Sequence, residues 1–395
     1  MLSCIKEVKI LLDNDNIFHL LNDNDEEEIQ EEYRVLSLDD AKKYAMFIHE
    51  NLPENNQRVE FSLIANNPFK IFETIISLSQ FIQNLRSSFS VKIYIDGYSG
   101  TEEQYIKLKE SNIKIKIEIP AWRKDLLSEE RINLILKYFP LAQFICHISS
   151  NNSDFLSIWN YYKDFDIYYF DFALNYKKNY NEEDFNNFDS YLNEMDNYII
   201  NSFNSYSIPM IPEFYRYMMW KIGTLYYFEN NSYYRQIPEG MNGVRCGLGC
   251  NQQIIINYNG LIFTCSKLGV NIDEKSLFCI GSIENGIQNE KIENLITLLL
   301  KEEVAPGYSV RESIVLKCKD CQLNKVCTAG CSPINFIKTN QFLTPPDSFC
   351  EWNKLFFNHT LNVVRYFDTY QNNDLFKDYY LGSLKRGEKN YVRCC

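Results

Sequence analysis

The chain has 395 residues, 45% hydrophobic and 15% aromatic, which is enough for two or three domains with a sizeable core. A formal net charge of −12 argues against nucleic acid as the main partner, because a polyanion is repelled unless basic residues concentrate on one face. No apolar run approaches the ~20 residues that span a bilayer, which excludes a transmembrane helix, and no export signal is visible, so a cytoplasmic protein with no membrane partner is expected.

Residues 5–12, Ile5-Lys6-Glu7-Val8-Lys9-Ile10-Leu11-Leu12, have the content of a strand, and the Asn/Asp-rich stretch after them reads as a loop. Its acidic run Asp23 to Glu32 reads first as solvated, with docking of a basic peptide as the alternative. Ser37 with Asp40 resembles a capping box that opens a helix, and Pro53 closes it. Strand-like runs then follow at 59–64, 91–95, 113–119, 142–148 and 167–174, separated by helical segments near 70–85, 101–110, 128–138 and 153–163, with a longer one at 183–203. Counting the first strand gives six βα units, which predict a parallel sheet that curls toward an open barrel or stays doubly wound.

The segment 203–242 is dense in Tyr, Phe, Met and Trp, including Tyr215, Tyr217, Met218, Met219 and Trp220. Core packing is the first reading of such a stripe, and a substrate-facing lining the second. Ile254–Tyr258 and Leu261–Thr264 flank Asn259-Gly260 as a β-hairpin. A helix is predicted at 289–303, and Trp352, Phe356, Val363 and Phe367 recur at helical spacing, with His359 near that stripe as a structural histidine. His19, His49 and His147 form no constellation, and Asp96 before Gly97 reads as a turn residue. No Ser-His-Asp order, Gly-rich phosphate loop or paired-carboxylate motif stands out, so no catalytic residue is assigned.

Nine of the thirteen cysteines lie between Cys246 and Cys350. Cys279, between Phe278 and Ile280, reads as a small buried hydrophobe, as does Cys146 within its strand; Cys4 stands alone, and Cys394 and Cys395 read as a tail. The other eight make two four-sulfur sets. Two cysteines separated by two residues reach one metal centre from a single turn, so Cys318 and Cys321 share a site, most simply with Cys327. In ferredoxin-type runs the last cysteine ligates the neighbouring cluster, so Cys331 crosses over and Cys350 fills the vacancy. This assigns Cys246, Cys250, Cys265 and Cys331 to one cluster and Cys318, Cys321, Cys327 and Cys350 to the other. Two four-cysteine zinc sites also satisfy the count. Disulfides fit poorly with a reducing cytosol.

The pattern C-x13-G-x4-C from Cys246 through Gly260 to Cys265, then C-x2-C-x5-C-x3-C from Cys318 to Cys331, then lone Cys350, resembles the SPASM domain, a carboxy-terminal module of many radical S-adenosylmethionine (SAM) enzymes that modify peptides. The Cys246-Gly247-Leu248-Gly249 opening and the Phe278-to-Gly286 stretch resemble it too. The resemblance implies two auxiliary 4Fe-4S clusters on those eight cysteines. It also implies a partial (β/α)6 radical-SAM-like barrel over residues 1–205, an aromatic linker at 206–241, a small cysteine-rich SPASM domain at 242–355, and a C-terminal helix and tail at 356–395.

Members of that family carry C-x3-C-x2-C in the loop after the first strand, whereas Asp13 to Arg34 contains no cysteine. Where they carry a Gly-Gly-Glu-Pro-like stretch at the second strand's end, this chain reads Ala65-Asn66-Asn67-Pro68. The barrel is therefore expected to be degenerate, with no SAM bound. The implied role is accessory, binding or presenting a ribosomally made precursor peptide to a partner radical SAM or ATP-grasp enzyme. The alternatives are a stand-alone redox enzyme using the two clusters and a structural zinc protein.

Overall fold

A computed structural model describes residues 5–14, 33–53, 58–119, 126–148, 154–174, 180–226, 253–265, 276–303, 321, 323, 330–341, 344–369 and 373–380. Cys4, His19, the acidic run 23–32, Cys394 and Cys395 lie outside these residues. Strand and helix alternate six times: β1 (Glu7–Leu11), α1 (Leu38–Asn51), β2 (Val59–Ile64), α2 (Phe72–Leu85), β3 (Phe89–Ile95), α3 (Glu102–Glu110), β4 (Ile113–Ile119), α4 (Glu129–Tyr138), β5 (Gln143–Ile148), α5 (Phe155–Tyr162), β6 (Tyr169–Leu174) and α6 (Glu182–Asn204). After α7 (Glu213–Tyr226) come β7 (Gln253–Ile256), β8 (Leu261–Phe263), β9 (Cys279–Ser282), β10 (Gly286–Ile287), α8 (Asn289–Glu303), α9 (Ser332–Thr339) and α10 (Asp347–Thr369).

The chain divides into two compact units, one of Met1–Pro120, Leu127–Phe144 and Cys246–Glu302, the other of Ala121–Leu126, Ile145–Arg245 and Glu303–Cys395. In the first unit eight strands lie in the order β10-β9-β8-β7-β1-β2-β3-β4. β1 pairs in parallel with both β2 and β7, and β2–β3 and β3–β4 are parallel, whereas β7–β8, β8–β9 and β9–β10 are antiparallel. Alternation decides which face is buried under helices. Val8, Ile10, Phe61, Val91, Ile93, Ile115 and Ile117 are buried, and Phe89 packs on Phe61 and on His49 of α1.

Short polar residues start the helices where the strands release the chain. Ser37 accepts from Asp40 N at 3.1 Å, and Thr101 and Asn181 form capping boxes with Gln104 and Asp184. Ser128 and Asp154 accept from Arg131 N and Ser157 N. Each such cap stabilises its helix by about 1 kcal/mol.

The hairpin forms at the predicted place with a longer turn than a bare Asn-Gly pair. Asn257 O accepts from Gly260 N at 2.9 Å, its Oδ1 accepts from Asn259 N and Leu261 N, and Gly260 alone in that turn takes positive φ (+76°). Gly260 also faces Tyr44, whose hydroxyl would lie 3.1 Å from an added Cβ.

The second unit is held by aromatic packing along α10. Trp352 sits edge-on to Phe155 (5.9 Å) and Phe188 (4.7 Å), Phe356 stacks on Phe214 (4.2 Å), and Phe367 meets Phe203 and Phe376. The four-residue stripe read from the sequence is buried, with Trp352 at 4% and Val363 at 0% exposure. Tyr215, Met218 and Met219 of α7 are buried as well, which favours core packing over an open lining for these described residues of the segment; Tyr217 points out.

Candidate functional site

Of the eight cysteines assigned to two clusters, Cys265, Cys321, Cys331 and Cys350 are described, while Cys246, Cys250, Cys318 and Cys327 lie outside the described residues. Cys265 belongs to the first unit and follows β8. Thr264 beside it is 2% exposed, and its Oγ1 has no hydrogen-bond partner among the described residues. In the second unit Cys331 is the N-cap of α9, preceded by Gly330 at φ +81°, where an added Cβ would meet Asn335 Oδ1 at 2.5 Å. A thiolate suits that position, because the first amide groups of a helix lack partners and favour negative charge. Cys350 lies in the first turn of α10.

Lys354, one turn on from Cys350, bonds Glu351 at 2.9 Å, which raises its pKa, and the nearby sulfurs of Cys321 and Cys350 raise it further. One ammonium thus feels both sulfurs. These donors are soft thiols, one of them on a helix N-cap, and that chemistry fits iron-sulfur and zinc ligation alike. Among the described residues no group of three or more His, Cys, Asp or Glu side chains stands ready to hold a metal. Cys279 is fully buried and donates to Gly281 O at 3.3 Å, and Cys146 is buried in β5, where burial pushes its thiol pKa up. Both are packing residues, as expected.

A second constellation went unread in the sequence. On the face of the first unit's sheet opposite the buried aliphatics, Glu7 and Lys9 of β1, Glu60 and Ser62 of β2, Lys92 and Tyr94 of β3, and Lys114, Lys116 and Glu118 of β4 stand side by side. Glu7 accepts from Ser62 Oγ (2.8 Å), Gln253 Nε2 (2.6 Å) and Lys92 Nζ (3.4 Å). Burial works to raise its pKa, but Lys9, Lys92 and the two hydrogen bonds bring it down to about 2. Glu60 takes Lys92 and Lys114, and Lys116 pairs with Glu118. Tyr94 is 4% exposed, with the ammonium groups of Lys116, Lys92 and Lys9 at 4.6, 5.6 and 6.0 Å from its ring centre. The available signal was the apolar–charged alternation in EVKIL and IKIKIEI.

At the carboxyl ends of the strands, Asp13 is 4% exposed and accepts from Asn66 N (2.8 Å) and Tyr33 OH (3.3 Å). Asn66 belongs to the Ala65-Asn66-Asn67-Pro68 stretch, so its backbone is fixed by a carboxylate from β1's end. Asp96 accepts from Tyr98 N and Ser99 N and is the turn residue expected. In the second unit Asp171 accepts from Phe172 N and Phe214 N, yet burial, abetted by Glu213, pushes its pKa up to about 7.

No family model matches the sequence, and no curated protein matches it. Among solved structures the chain is similar to native anSMEcpe with bound AdoMet and Cp18Cys peptide, at 16% identity over 91% of this chain and 98% of that one, TM-score 0.61. It is also similar to a hexahistidine-tagged anSMEcpe with bound AdoMet, at 15% identity over 96% and 98%, TM-score 0.63. At such identity the likeness shows the fold: a radical-SAM-like partial (β/α)6 barrel followed by an extra C-terminal domain. No helix among the described residues is long and apolar enough to cross a membrane.

Proposed function

We propose that this chain is an iron-sulfur protein of the SPASM type that acts in the cytoplasm in maturation of a ribosomally made peptide, presenting the peptide to a partner radical SAM or ATP-grasp enzyme without cleaving SAM itself. The observation that carries this reading is the mismatch within one chain: an eight-cysteine set placed after a radical-SAM-like barrel whose first loop, Asp13 to Arg34, has no cysteine. The bound peptide of the similar structure supports a peptide as the ligand. Its bound AdoMet marks what this barrel is proposed to have lost.

Cys246, Cys250, Cys265 and Cys331 are proposed to hold one 4Fe-4S cluster, and Cys318, Cys321, Cys327 and Cys350 the other. Such clusters supply one-electron transfer and rigid cross-links between distant segments when bound. The residues around them have separate tasks. Cys331 is fixed by α9 and Cys350 by α10, and Lys354 places positive charge beside Cys321 and Cys350. Separately, in the first unit's sheet, Asp13 ties the end of β1 to that of β2 through Asn66 N.

The test is anaerobic purification with iron and sulfide analysis, a 5′-deoxyadenosine assay, and capture of the precursor peptide by the full chain. Close to eight iron and eight sulfide per chain, with no deoxyadenosine and with peptide capture, are expected from two clusters. Zinc in place of iron, or deoxyadenosine formed by the isolated chain, would overturn the corresponding half of the reading.

A further inference from the structure

The inner face of the first unit's sheet has the wrong chemistry for a plug. Barrel interiors that serve only as core are filled with branched aliphatic side chains in layers. Here seven charged residues, Glu7, Lys9, Glu60, Lys92, Lys114, Lys116 and Glu118, occupy neighbouring positions on four strands. Keeping them there costs desolvation, since the side chains of Lys9, Lys92, Lys116 and Glu118 are only 9%, 15%, 16% and 12% exposed. Replacing such groups with apolar ones is often neutral or stabilising, so their presence points to a task other than folding.

The sign of that task follows from the count, four lysines against three glutamates, in a chain whose overall charge is −12. The glutamates are engaged by their neighbours, Glu7 by Ser62, Gln253 and Lys92, Glu60 by Lys92 and Lys114, and Glu118 by Lys116, so an incoming anion would share these lysines with them. Three ammonium groups crowd round the Tyr94 ring. Burial and the like charges of Lys116 and Lys92 push the pKa of Lys9 down against the pull of Glu7 and Glu118. An anion arriving here replaces repulsion between cations with attraction to them.

We propose that the surface formed by Lys9, Lys92, Lys116 and Tyr94 is a carboxylate-binding subsite for the peptide, taking an acidic side chain or the C-terminal carboxylate. It rests on the peptide-binding reading for its ligand and on the sheet geometry for its place. A carboxylate accepts from two ammonium groups at once, and the Tyr94 ring between them holds the lysines in place.

The experiment is an NMR titration of the full-length protein carrying 13Cε-labelled lysine, with the Lys9 and Lys116 signals assigned through Lys9→Arg and Lys116→Arg. Three probes are used: N-acetyl-Gly-Glu-Gly amide, N-acetyl-triglycine with a free acid, and N-acetyl-Gly-Gln-Gly amide. The expected result is a saturable shift of both signals with a carboxylate probe and none with the glutamine probe; the stronger acid identifies the source. Lys116→Met should weaken that binding at least tenfold, and Lys116→Arg much less. No shift with either acid, an equal shift with the glutamine probe, or unchanged binding in a folded Lys116→Met protein would overturn the proposal. If Lys116→Met does not fold, the wild-type titration decides alone. Precursor captured by the chain without any lysine shift sinks only the subsite. Lysine shifts without precursor capture sink only the maturation reading.

Discussion

The two units place ionisable groups in buried positions in opposite ways. In the first, charges spread over a broad sheet face, each glutamate shared among several lysines and polar neighbours. In the second, a narrow chain runs inward from the surface: the exposed Asp189 Oδ1 meets the buried His359 Nε2 at 3.0 Å, His359 Nδ1 meets Asp196 Oδ2 at 2.7 Å, and Tyr215 OH donates to Asp196 Oδ1. A spread network tolerates an added anion because several cations share it. A narrow one fixes helices α6, α7 and α10 to one another, with two carboxylates sharing one imidazole and one phenol. The first arrangement suits recognition, the second architecture.

Breaking the second unit's core should give the largest effect. Trp352→Ala removes the ring that contacts Phe155, Phe188 and Phe356, and a loss of about 3–5 kcal/mol is expected in denaturant unfolding. On the charged sheet face, Glu7→Gln leaves Lys9 and Lys92 without their shared carboxylate and should cost about 3 kcal/mol near neutral pH. Because the Glu7 pKa is depressed to about 2 from 4.5, its contribution is present above pH 4.5 and lost as pH falls toward 2. The acid limb of the stability curve should flatten in Glu7→Gln.

His359 tests the narrow chain with the opposite sign. Burial opposes its charge, but the bonds to Asp196 and Asp189 prevail and raise its pKa above 6.5. Its contribution is then fully present below pH 6.5 and lost as pH rises through the raised value. His359→Gln should cost about 2 kcal/mol at pH 6. The difference from wild type should shrink on the alkaline side, read by thermal unfolding across pH. If both units lost stability over the same pH range, the contrast between them would fail.

Smaller changes sharpen the same contrast. Thr101→Ala, which removes a cap outside both networks, should cost about 1 kcal/mol. Lys354→Met breaks a surface pair with Glu351 and should move stability by less than about 0.5 kcal/mol.

Strand and helix placement was readable where alternation is strict: Val59–Ile64, Ile113–Ile119 and Asn289–Glu303 fall where the sequence predicts them. The first strand was read as 5–12 and spans Glu7–Leu11, because propensity marks content and pairing marks the ends. The stripe on α10 and the burial of Cys146 and Cys279 were also legible. The sheet's charged face was not, since register alone brings Glu7 opposite Glu60 and Lys92 opposite Lys114. His359 was placed on its stripe as structural, but Asp189 and Asp196 lie 170 and 163 residues away along the chain, beyond any local pattern. The likeness to a radical-SAM barrel was visible through the six βα units and the cysteines that follow them; at 15–16% identity the similar solved structures share the fold with this chain.

Cys350 stands two positions before Trp352 on a helix whose next turns are locked into rings from α5, α6 and α7. The backbone carrying that sulfur therefore inherits its position from the surrounding hydrocarbon. Preorganisation of this kind removes most of the entropy that a floppy ligand would lose on capture. For the cluster proposed on Cys350, that means a ligand offered by a frame which packing alone already holds in place.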